Sequence, residues 1–131
     1  MGELPQMNTD EHGLDSVCEL IIGAAFRVSN ALGAGFLEKV YENALAHELR
    51  KAGLPVVQQY PIKVVYDGTV VGEYVSDLLV AGCVIVELKC VKGMEDIHLA
   101  QCLNYLRATG LRRGLILNFH FPKVGVKRVS L

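Results

Sequence analysis

A length of 131 residues sets a single domain as the expectation. A formal net charge of −1 excludes a generic polyanion-coating protein. At 51% hydrophobic and a mean hydropathy of +0.31 the chain is apolar for its size, which permits a homodimer interface. No apolar run approaches the ~20 residues of a membrane helix. Residues 1–13 read as a polar tail without the basic start and apolar centre of a signal peptide, so a cytoplasmic location follows by default.

Residues 14–32 read as a helix, because Leu14, Val17, Cys18, Ile21, Ala25, Val28 and Leu32 recur at the helical period. Gly33-Ala34-Gly35 stops it. A second helix spans 37–52, with Leu37, Val40, Tyr41, Ala44, Leu45 and Ala52 as its apolar face, and Gly53 and Pro55 end it. Glu38, Tyr41 and Glu42 are neighbours on the surface of that helix. The period then changes. Residues 56–66 are β-branched and aromatic up to the turn dipeptide Asp67-Gly68. Strands are expected at 70–80 and 84–91. Residues 94–109 return to helical spacing through Leu99, Cys102, Leu103 and Leu106. A doubly buried strand follows at 115–119 and an edge strand at 124–131. The fold class is α/β of the α+β type: about five strands in a mixed sheet, three main helices, order ααβββαββ over residues 14–131.

Three charged residues stand out on these apolar strands: Asp77, Glu87 and Lys89. Glu87 and Lys89 share a face by the strand period of two. A two-residue turn would pair Asp77 with Val86 and separate the carboxylates. A three-residue Ala81-Gly82-Cys83 loop pairs Asp77 with Glu87, and Gly82 can supply the left-handed residue such a loop needs. Charges on buried strands are tolerated when paired or bound to metal. Two carboxylates and an ammonium at one spot suit a metal-dependent phosphodiesterase. The plain alternative is a Glu–Lys surface pair, which sits poorly in runs of Val, Ile and Leu.

Gln101 and Tyr105, four apart, form with His98 a polar stripe on the third helix that overlooks the site or is an ordinary exposed face. Cys18, Cys83, Cys90 and Cys102 contain no Cys-x-x-Cys pair and read as small hydrophobes. His98, Cys102 and Cys90 match neither the spacing nor the ligand count of a structural zinc site. The second half is the more basic: residues 61–131 carry nine Lys/Arg and six Asp/Glu, against four and eight in residues 1–60. That asymmetry suits a phosphate-facing surface or simply a solvated basic face.

Gly35-Phe36-Leu37-Glu38-Lys39-Val40-Tyr41 resembles the motif that names the GxxExxY protein family. The likeness continues through Tyr74-Val75-Ser76-Asp77-Leu78-Leu79-Val80, Val86-Glu87-Leu88-Lys89, Gln101-Cys102-Leu103-Asn104-Tyr105-Leu106 and Leu115-Ile116-Leu117-Asn118-Phe119. That family looks like a branch of the PD-(D/E)XK nucleases, with a restriction-endonuclease-like core. The resemblance implies Mg²⁺ or Mn²⁺ on Asp77, Glu87 and the Leu88 backbone carbonyl, with Glu38 as a further acid from the early helix. Lys89 would position the attacking water, and Gln101 and Tyr105 would orient the substrate. Ser76 stands where the superfamily pattern has proline. The implied partner is nucleic acid, DNA ahead of RNA. The rival is a non-catalytic nucleic-acid-binding or assembly module that keeps the fold.

Overall fold

The computed structural model describes residues 10–131. Its element order is α1 (Glu11–Leu32), α2 (Glu38–Lys51), β1 (Val56–Tyr66), β2 (Thr69–Val80), β3 (Val84–Lys89), α3 (Asp96–Thr109), β4 (Arg113–Asn118) and β5 (Gly125–Ser130). This is the ααβββαββ order expected of the sequence. Helix α1 starts three residues before Leu14, because the Asp10 carboxylate caps it by accepting from the Gly13 N–H at 2.8 Å. The remainder of the expected tail, residues 1–9, lies outside the described residues. Strand β3 stops at Lys89 rather than Val91. The Asn118 side chain instead ties down Val91, accepting from its N–H at 3.1 Å and donating to its carbonyl at 2.8 Å.

The five strands form one sheet in the order β1-β2-β3-β4-β5. All neighbours are antiparallel except β3 and β4, which run parallel across the α3 crossover. Helices α1 and α2 cover one face, where Ile21, Tyr41, Leu45 and Leu49 pack on Leu78, Val84, Val86, Leu88, Leu115 and Leu117. Helix α3 covers the other, where Cys102, Tyr105 and Leu106 meet Leu79, Ile85, Ile116 and Val129. Strand β4 is therefore buried on both sides, as its unbroken apolar run implies.

Two features of β2 position the site. Its loop to β3 is the three-residue one: Val80 pairs with Val84, and the Cys83 N–H donates to the Val80 carbonyl at 3.1 Å. Both Ala81 (φ 54°) and Gly82 (φ 66°) are left-handed. The alanine was not foreseen, and it is anchored by its N–H to the Pro55 carbonyl at 2.8 Å. Second, β2 pairs with β1 along nearly its whole length but with β3 only from Leu78 to Val80. Beyond Leu78 the two strands fork.

Candidate active site

The fork opens at Asp77 and Glu87, which the hairpin register sets opposite one another. Side chains replace the missing ladder there. The Asp77 N–H donates to Glu87 Oε2 at 2.8 Å, and the Leu88 N–H donates to Asp77 Oδ2 at 2.8 Å. Each carboxylate is thus held by the other strand's backbone. Glu87 is 5% exposed and Asp77 is half-buried.

Alternation breaks at the same level. In β1, Val57 packs toward α3, yet so do Tyr60 and Ile62, which period two would not allow. The switch falls on Gln59, whose φ of 54° is left-handed, a strained conformation for a residue other than glycine. In β2, Leu79 faces α3, as does Tyr74, whose ring lies 5.8 Å from that of Tyr105. The pleat therefore resets in both strands beside Asp77.

Lys89 continues the site along β3. Its Nζ donates to Gln101 Oε1 at 3.4 Å, and Gln101 Nε2 donates to the Tyr105 hydroxyl at 3.0 Å. The Gln-x-x-x-Tyr pair thus reaches the lysine directly. Tyr105 is only 5% exposed, so it borders the apolar face of α3 rather than standing opposite Cys102 and Leu106.

Helix α2 contributes from the other side. Tyr41 is buried, as expected of the apolar face, and so is Glu42, which corrects its surface reading, whereas Leu37 and Val40 of the expected apolar face are exposed. The Tyr41 hydroxyl donates to the Gly33 carbonyl at 2.6 Å and accepts from the Phe36 N–H at 3.2 Å, while its ring stacks on Phe119 at 4.7 Å. Gly35, at φ 111°, lets the loop close under it. Tyrosine and glycine of the motif thus fix the helix start, and Glu38 projects from it, exposed. Buried Glu42 accepts from Lys39 Nζ at 3.0 Å, Gln58 Nε2 at 2.8 Å and Gln59 Nε2 at 2.8 Å. The Gln59 amide held by Glu42 also favours the charged form of Asp77, which links Glu42 to the site.

Gln58, Gln59 and Ser76 were missed in the sequence. One signal was present: two adjacent glutamines in a largely β-branched and aromatic run, and both reach Glu42. Ser76, fully buried where the superfamily pattern has proline, donates its hydroxyl to the Leu78 carbonyl at 3.0 Å.

The electrostatics are those of crowded acids. Burial, then the Asp77 charge, pushes Glu87 up to about 7 against the opposing Asp77 N–H, Ser76 and Lys89. Asp77 is raised by burial and by Glu42, despite the Leu88 N–H, Lys89 and Gln59. Glu38 is raised by burial, then by Asp77 and Glu42, with Lys89 opposing. Glu38 therefore lies within the field of the site although it remains exposed. An added cation would relieve this excess of negative charge. Among the described residues no three His, Cys, Asp or Glu side chains form a ready metal cage. The donors present are hard carboxylate oxygens in small number, which fits an ion that keeps several waters, such as Mg²⁺. Cys102 lies beneath the site, its thiol pushed up to about 12 by burial and by Glu87.

The sequence model of the PD-(D/E)XK nuclease superfamily matches residues 15–129. The chain belongs to that superfamily, and its three helices and five-stranded mixed sheet agree with the restriction-endonuclease-like core. This supports a nuclease-type function, and nucleases of this class typically depend on a divalent metal. No curated protein and no solved structure matches the chain significantly. Among the described residues no helix is long and apolar enough to cross a membrane.

Proposed function

We propose that this protein is a metal-dependent nuclease of the GxxExxY branch that hydrolyses phosphodiester bonds in nucleic acid, DNA ahead of RNA. The observation that carries the reading is the meeting of Asp77, Glu87 and Lys89 at the fork between β2 and β3. Asp77, Glu87 and the Leu88 carbonyl would hold Mg²⁺ or Mn²⁺, with Glu38 as an acid at the rim. When bound, the ion supplies Lewis-acid neutralisation of charge on the phosphate.

The chain's own groups do the rest. Lys89 would orient the attacking water and offer its positive charge to the phosphoryl oxygens as negative charge builds on them. Gln101 fixes the lysine by accepting from Nζ, and Tyr105 fixes the amide by accepting from Nε2. Glu42 holds the Gln59 amide, which favours the charged form of Asp77. Reciprocal bonds to backbone N–H groups keep both carboxylates in place before substrate arrives.

The test is hydrolysis of single-stranded, duplex and branched DNA and of RNA, with Mg²⁺, with Mn²⁺ and with chelator. Cleavage of at least one substrate that chelator abolishes is expected, with DNA cut faster than RNA. Complete inactivity in both metals, with nucleic acid still bound, would replace this reading with a non-catalytic binding module.

A further inference from the structure

We propose that the cleft between α3 and the β1–β2 hairpin seats one unstacked nucleobase of a single-stranded nucleic acid, beside the phosphate held at the fork. The position of that phosphate rests on the hydrolytic reading above. The cleft has a volume of about 790 Å³, within the ~300–1,000 Å³ of small-ligand sites. Its walls come from Val64 and Tyr74 of the hairpin and from Ile97 and Tyr105 of α3. Tyr74 is 51% exposed and Ile97 is 69% exposed, a large apolar outlay on a surface unless something covers it.

The shape of the chemistry favours a base. A nucleobase has two apolar π-faces and a polar edge. The half-exposed ring of Tyr74, backed by the buried Tyr105 ring at 5.8 Å and 47°, offers a face for stacking. On α3, Gln101 and Asn104 lie one turn apart and offer amide edges along the same cleft. A base within a duplex is covered on both faces by its neighbours and cannot enter without leaving the stack. Charge agrees: no acidic residue lines the cleft, and Arg107 does, in contrast to the acids of the fork. Gln101 joins the two sites, since it lines the cleft and also holds Lys89.

The experiment reads binding without turnover. Lys89→Ala protein in Mg²⁺ is titrated with a short single strand carrying one 2-aminopurine, as DNA and as RNA, and with the blunt duplex of the same sequence. The single strand should bind more tightly than the duplex, with quenching of the 2-aminopurine. Tyr74→Ala should weaken single-strand binding by about 5- to 150-fold, the range of one lost base–aromatic stack, and remove the quenching. Tyr74→Phe should retain both. Ala100→Trp, at an exposed helix position lining the cleft, should block it without touching the core. Unchanged single-strand affinity and quenching in Tyr74→Ala and Ala100→Trp would overturn the proposal, as would equal quenching by the duplex. Inactivity of the wild-type protein counts against the hydrolytic reading alone, because this measurement decides the cleft without it.

Discussion

Glu87 is a carboxyl whose burial works against its charge. Its folded pKa of about 7 lies above the ordinary value of 4.5. Between these values the folded state binds more protons than the unfolded one, so this group makes stability fall as pH rises. Its contribution is fully present below the unfolded value and is lost as pH passes through about 7. Glu87→Gln, which keeps an oxygen for the Asp77 N–H, should therefore stabilise the metal-free protein at pH 8. The gain should be on the order of 2–3 kcal/mol and should vanish near pH 4. Urea unfolding across that pH range checks it, and an unchanged pH slope in the variant would refute the assignment. Mg²⁺ should raise the melting temperature of the wild type at pH 8 and do so much less for Glu87→Gln. Such a pattern separates a crowded acid site from a surface ion pair, which is worth little either way.

Among the elements, the β2–β3 hairpin and the motif loop carry most of the positioning. The odd loop length was legible in the sequence because only that register brings two carboxylates together. The left-handed Ala81 was not, since its anchor on the Pro55 carbonyl is a contact distant in sequence. The pleat reset at Gln59 was hidden for a similar reason: strand patterning assumes period two throughout, and here a tertiary partner, buried Glu42, overrides it. Tyr41 tests the loop. Tyr41→Phe keeps the stack on Phe119 but leaves the Gly33 carbonyl and Phe36 N–H without the hydroxyl. It should cost about 1–2 kcal/mol in chemical denaturation and lower activity by loosening Glu38. Gly114 tests the other face. A Cβ there would meet the buried Cys102 sulfur at 2.7 Å, so Gly114→Ala should cost about 1–3 kcal/mol by overpacking α3 on β4. Gly114→Ala with Cys102→Ala should recover much of that loss. Denaturation midpoints of the two variants decide it.

For the whole molecule, the apolar surplus seen in composition is not all core. Much of it lies on the free half of the β1–β2 hairpin, where Val65, Tyr66, Val70, Val71 and Val75 are exposed. β1 is also an edge strand of the sheet. These features support the homodimer reading, and sedimentation should detect a dimer that Val71→Lys with Val75→Lys weakens. The fold itself was legible because helix and strand periods alternate cleanly and glycines mark nearly every boundary. The candidate site was legible at Asp77, Glu87 and Lys89 because charge on apolar strands is costly. Its supporting shell of Gln58, Gln59 and Ser76 was not, because short polar residues look alike in a sequence whether they brace a site or face water.

In the proposed mechanism Lys89 acts at the reacting phosphate while Asp77 and Glu87 hold the ion. The most direct measurement is the single-turnover cleavage rate of wild-type and Lys89→Ala protein on a single-stranded DNA in saturating Mg²⁺, with matched circular dichroism and matched DNA affinity. Lys89→Ala should lose about 100-fold or more in rate at unchanged affinity. Equal rates in the two proteins would contradict it.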